Sequence, residues 1–83
     1  MTYTTYVLQS LKNGKFYIGQ TNNIDSRLQR HNAARVKSTK SGIPWIIIFT
    51  KDFDTRAQAM QLEKRLKSFK HREYLIQWIS DHK

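Results

Sequence analysis

Apolar and polar positions change rhythm several times along this chain. Thr2 to Gln9 is rich in Tyr, Thr and Val, residue types that suit a pleated, half-buried strand. Lys12-Asn13-Gly14 is a turn signal, since Asn-Gly is the strongest short hairpin dipeptide. Lys15 to Gln20 then reads as the return strand, which puts Tyr6 and Tyr17 on paired neighbours of one hairpin. Gly19, near the end of that strand, marks a bulge or a close backbone approach. Thr21-Asn22-Asn23 offers helix N-caps, and Asp25 sits where an acid favours a helix N-terminus. Ile24 and Leu28 are four apart and predict a core-facing stripe; Arg27 and His31, also four apart, share another stripe of the same helix. That helix is expected to fade between Asn32 and Arg35.

The second half alternates in the same way. Lys37 to Pro44 is polar, punctuated by Ser-Gly and Pro, and reads as a mobile basic loop. Trp45 to Phe53 predicts a third strand whose continuous apolar run suits the middle of a small sheet. Thr55 opens a helix with a Thr-x-x-Gln capping box closed by Gln58. Ala59, Leu62, Leu66 and Phe69 form its buried stripe, and Glu63 lies beside that stripe at the boundary with solvent. Lys70-His71-Arg72 breaks the pattern, and Tyr74 to Asp81 reads as a last helix carrying Leu75, Ile76, Trp78 and Ile79. The expected fold is α/β (α+β): a single domain over residues 1–83 with a small antiparallel three-stranded sheet flanked by helices, in the order ββαβαα.

Composition narrows the function classes. With 83 residues there is room for one modest core. The absence of cysteine removes any disulfide framework or thiolate metal cage. Met1-Thr2-Tyr3 does not open a signal peptide, and Trp45 to Phe49 is too short to span a bilayer, so no membrane role and a cytoplasmic location are expected. Fifteen basic residues against six acidic ones give a net charge of +9. The excess is clustered: Arg27, Arg30, Arg35, Lys37, Lys40 and Lys51 lie between Asp25 and Asp52 with no acid among them. Lys64, Arg65, Lys67, Lys70 and Arg72 follow Glu63 before the next acid. Concentrated positive charge attracts a polyanion through phosphate contacts and counterion release.

Hydrolysing a phosphodiester requires a deprotonated nucleophile, neutralisation of transition-state charge and help for the leaving oxygen. The shortage of acids argues against a two-metal carboxylate site, but magnesium can be held by one carboxylate with waters and substrate phosphate. Glu63 is the acid best placed for that. Arg35, Lys37 and Lys40 are candidate phosphate contacts on the basic loop, Lys67 can meet either Glu63 or a phosphate, and Thr21 is a candidate substrate contact that also suits a helix cap. Tyr3 competes with Tyr6, and His71 and His82 read as surface residues. Trp45 and Trp78 read as core anchors rather than base-stacking platforms.

Tyr17-Ile18-Gly19, Arg27 ten residues after Tyr17, His31 one turn on, and Glu63 in the helix after the third strand together resemble the GIY-YIG nuclease superfamily. Tyr-Ile-Gly-x-Thr at 17–21, Arg27-Leu28 with His31-Asn32, Pro44-Trp45 and Glu63-Lys64-x-Leu66-Lys67 are similar to its small stand-alone bacterial members, relatives of the N-terminal nuclease domain of excinuclease C. Of the first tripeptide only Tyr6 carries over. The resemblance implies a divalent-metal-dependent DNA endonuclease using Mg2+ or Mn2+ and no small-molecule cofactor. It further implies Tyr17 as general base and Tyr6 positioning water or phosphate. Arg27 would stabilise transition-state charge, His31 would assist proton transfer or contact phosphate, and Glu63 would ligate the metal. Substrate selectivity would then be low or supplied by a partner protein. The alternatives are a non-catalytic nucleic-acid-binding module with the same fold, and an interaction subunit for an acidic protein.

Overall fold

A computed structural model describes residues 2–82; Met1 and Lys83, the ends of the expected 1–83 domain, lie outside the described residues. The elements run β1 (Tyr3–Ser10), β2 (Phe16–Thr21), α1 (Ile24–Asn32), a 3-10 helix (Lys37–Gly42), β3 (Trp45–Phe53), α2 (Arg56–Lys67) and α3 (Arg72–His82). This is the ββαβαα order expected from the sequence. All three strands are antiparallel in the order β2-β1-β3.

Strand β1, not β3, is therefore the centre of the sheet, which corrects the reading of the apolar run at 45–53. The run has another origin. Opposite Val7 and Leu8 the pairing passes from Phe49 to Ile47, so Ile48 is an extra, bulged residue. Phe49 and Ile48 consequently join the same core cluster, while Trp45 joins the opposite one. Ile46 and Ile47 remain 40% and 36% exposed, as an edge strand allows.

Side chains alternate across the sheet and divide the core in two. Val7 and Phe49 meet Leu66 of α2 and Leu75 and Ile79 of α3 on one face, with Phe16, Ile18, Leu62 and Phe69 packed around them. Tyr6, Leu8 and Trp45 form the other cluster, joined by Tyr17 and by Ile24 and Leu28 of α1. The predicted stripes of α1 and α2 both face inward. Helix α2 carries its complete capping box: Thr55 Oγ1 accepts from the Gln58 backbone N–H at 3.3 Å, and the Gln58 side chain accepts from the Thr55 N–H at 3.3 Å. Helix α3 begins two residues earlier than expected, at Arg72.

The segment expected to be a mobile loop is instead the 3-10 helix, with Thr39 and Gly42 buried. It is tied down from three sides. Ser10 Oγ donates to the Gly42 carbonyl at 2.6 Å, the Trp45 indole N–H donates to the Thr39 carbonyl at 2.8 Å, and Asn32 brackets Trp45. The Asn32 amide accepts from the Trp45 N–H at 2.7 Å and donates to its carbonyl at 3.1 Å.

The chain reaches this segment through a Schellman-type turn: the Arg35 N–H bonds the Arg30 carbonyl and the Ala34 N–H bonds the His31 carbonyl. The left-handed position is held by Ala34, with φ of 61°. An alanine there carries a Cβ penalty that glycine lacks. Ala34→Gly is expected to raise stability by about 0.5–1 kcal/mol despite the larger unfolded-state entropy of glycine, measured by urea denaturation; a loss of stability would contradict the turn.

Candidate active site

The hairpin register sets the positions of the two tyrosines. Tyr6 pairs with Gly19 and Leu8 with Tyr17, so Tyr6 and Tyr17 point to the same face on neighbouring strands. Their ring centroids are 6.3 Å apart. Tyr6 lies across Gly19: a Cβ built on that glycine would stand 2.6 Å from the Tyr6 hydroxyl oxygen and 2.8 Å from Cζ. The close approach read from Gly19 is present, whereas the bulge lies on the β3 side.

Helix α1 covers these rings. His31 is 0% exposed, its ring 4.8 Å from Tyr17 and 6.2 Å from Tyr6. Its Nε2 lies 3.3 Å from the Tyr6 hydroxyl and its Nδ1 2.8 Å from Thr39 Oγ1. It is thus a buried residue in contact with both tyrosines.

The electrostatics bring in Arg27 and Glu63. Burial, then the neighbouring Tyr17, push the Tyr6 pKa up from 10.0 to about 12, with Arg27 opposing and Glu63 reinforcing the shift. Tyr6 therefore keeps its proton at neutral pH. Burial, followed by Arg27 and Arg30, holds His31 below its ordinary 6.5, so its imidazole is neutral. Three residues predicted from sequence, Tyr17, Arg27 and Glu63, thus bear electrostatically on the Tyr6 hydroxyl, and His31 touches it.

Glu63 sits on α2 with its side chain 21% exposed and its Oε2 2.7 Å from Lys67 Nζ, the i, i+4 pair that the spacing allows. Tyr17 and Lys67 share a groove of about 330 Å³ with Phe16, Phe69, His71 and Arg72. Arg35, Lys37 and Lys40 are exposed on and before the 3-10 helix. Thr21 is only 4% exposed, and its hydroxyl is engaged by Asn23 N–H at 3.1 Å. It serves the turn that leads into α1. Sequence reasoning missed Thr39, hidden in an apparently polar loop, and gave Asn32 no role of its own. The one available signal for Asn32 was its adjacency to His31 in the motif.

The model of the GIY-YIG catalytic domain matches residues 2–75. The chain belongs to the GIY-YIG family. A UPF0213 protein of Bacillus licheniformis is 39% identical over 75 residues, covering 87% of this chain and 76% of the relative. A UPF0213 protein of Staphylococcus haemolyticus is 31% identical over 65 residues, covering 77% of this chain and 79% of the relative. The solution NMR structure of the UPF0213 protein BH0048 from Bacillus halodurans matches the fold with a TM-score of 0.61 at 28% identity, covering 96% of this chain and 84% of that one. Membership in the GIY-YIG family puts this chain in a superfamily of nucleases. Among the described residues, no helix is long and apolar enough to cross a membrane.

Two expectations follow. Gly19→Ala should destabilise by about 1–3 kcal/mol, because the buried Tyr6 ring has no room to yield. Truncating Tyr6 to Leu should absorb most of that cost, so a double-mutant cycle in urea gives strong coupling; additive losses would contradict the contact. The second concerns pH. His31 is depressed in the folded state, so its contribution to stability is fully present above 6.5. It is lost as pH falls below that value, where the unfolded chain binds the proton first. Urea midpoints taken from about pH 7.5 down to about 5.5 should fall less steeply in His31→Gln than in the natural protein.

Proposed function

We propose that this protein is a divalent-metal-dependent DNA endonuclease that hydrolyses phosphodiester bonds, with Tyr17 as general base. The observation that carries the reading is the packing of Tyr6, Tyr17 and His31 on one face, with His31 at the Tyr6 hydroxyl and the charges of Arg27 and Glu63 both felt there. A chain that only bound nucleic acid would need no carboxylate in such a cation-rich setting.

The roles follow from the chemistry of each group. Tyr6, held protonated, orients the attacking water but does not take its proton. Tyr17, half-buried beside it and lining an open groove, accepts that proton. Arg27 offers a permanently charged planar donor to the oxygens that gain charge in the transition state. Lys67 follows the phosphate within the groove beside Tyr17, joined by Arg72 and His71. Arg35, Lys37 and Lys40 reach flanking phosphates, a sequence-independent hold on DNA that leaves selectivity to DNA structure or to a partner protein.

Among the described residues, no cluster of three or more His, Asp or Glu side chains could cage a metal. A single carboxylate such as Glu63 fits magnesium or manganese, which retain waters and take substrate phosphate oxygens as ligands. When bound, the ion supplies Lewis-acid neutralisation of the phosphate. Lys67, 2.7 Å from Glu63, orients that carboxylate in the meantime.

The test is a nicking assay on plasmid, branched and single-stranded DNA with magnesium or manganese. Glu63→Gln and Tyr17→Phe should each lose cleavage by about 100-fold or more while DNA binding, and its steep weakening with salt, persists. Cleavage surviving both substitutions would place the activity elsewhere. Absence of cleavage by folded natural protein on every DNA form would leave the binding-module reading.

A further inference from the structure

Beneath the tyrosines runs a line of hydrogen bonds that has a direction. Thr39 is 1% exposed. Its hydroxyl donates to the Val36 carbonyl at 3.3 Å, the same carbonyl that takes the Thr39 backbone N–H at 3.1 Å. Thr39 Oγ1 also lies 2.8 Å from His31 Nδ1, and when its hydrogen rests on the Val36 carbonyl it meets that nitrogen with a lone pair. The neutral imidazole then carries its proton on Nδ1, and its Nε2 is a bare acceptor toward the Tyr6 hydroxyl at 3.3 Å. The Trp45 indole N–H anchors the Thr39 carbonyl at 2.8 Å and so holds its backbone beside His31.

We propose that Thr39 is a positioning residue of the active site: it fixes His31 in the Nδ1–H tautomer and thereby directs the Tyr6 O–H onto Nε2. A Tyr6 hydroxyl whose hydrogen points toward Nε2 keeps only lone pairs for an attacking water. It receives a hydrogen from the attacking water and cannot compete with that water as a donor to the phosphate. The catalytic half of the inference rests on the nuclease reading above; the tautomer half stands without it.

The experiment is a measurement of the His31 ring 15N shifts and long-range 1H–15N couplings at neutral pH, with steady-state cleavage kinetics beside it. The natural protein should show Nδ1–H. Thr39→Val removes the acceptor at nearly constant volume and leaves a buried N–H unpaired, so His31 should convert to the Nε2–H tautomer and reverse the bond to Tyr6. kcat should fall by about 10- to 100-fold with KM changed less than about twofold. Thr39→Ser, which restores the oxygen alone, should return both the tautomer and kcat toward natural values. An Nε2–H tautomer in the natural protein overturns the proposal, and that spectrum is decisive even if Thr39→Val fails to fold. A Thr39→Val protein that loses kcat while keeping Nδ1–H also overturns it, since the threonine would then be structural only. A converted tautomer with unchanged kcat overturns the catalytic half. Natural protein without cleavage but with the predicted tautomer shift counts against the nuclease reading and supports the Thr39–His31 link.

Discussion

Everything in this molecule is fastened to a central strand that is buried on both faces yet rich in hydroxyl groups. Thr4 through Leu8 are all withdrawn from solvent. A buried hydroxyl without a partner costs on the order of 1–3 kcal/mol, so each one obliges a neighbouring element to take a fixed position. Thr5 donates to the Ala59 carbonyl at 2.7 Å and fixes α2 on one face. Thr4 donates to Asp52 at 2.7 Å and fixes the far end of β3. Ser10 donates to Gly42 and accepts from the Lys12 and Asn13 N–H groups at 3.1 Å, fixing the 3-10 helix and the hairpin turn together. Tyr6 does the same for α1 through His31. Hydrophobic burial supplies the bulk of the driving force, but these bonds decide where each layer sits.

The same constraint gives the candidate site its electrical character. A tyrosine locked on a glycine, under a helix and against a neutral histidine, resists ionisation, while its partner on the next strand borders an open groove. Two like groups on adjacent strands are thereby made unlike by surroundings alone. Arg27 and Glu63 act on Tyr6 with opposite sign, so altering either charge changes the balance at its hydroxyl.

How far the sequence reveals this depends on the range of the interaction. The hairpin, the capping box at Thr55–Gln58, the Ala59–Leu66 stripe and the spacing of Tyr17, Arg27 and His31 are local and were legible. Strand order was not: an apolar run reads as central, but at 45–53 it arises from a bulge that sends Ile48 and Phe49 to one side. The real centre, Tyr3–Ser10, looks half-polar because its hydroxyls find partners far away in sequence. Lys37–Gly42 looked mobile because its anchors, Ser10, Trp45 and Asn32, lie outside it. The burial of His31 was hidden for the same reason, since Thr39 is eight residues away and its helix is short and polar.

Trp45 gives this arrangement an optical handle. Its indole N–H holds Thr39, and its ring lies 6.5 Å from that of Tyr17, near enough for tyrosine excitation to pass to it. The other tryptophan, Trp78, is on the opposite side of the sheet, against Phe49 and stacked on His82. With Trp78 replaced by Phe, the emission of the protein comes from a single fluorophore bonded to the segment that orients the histidine. Its colour and polarisation then record, in real time, whether the tyrosine face is assembled.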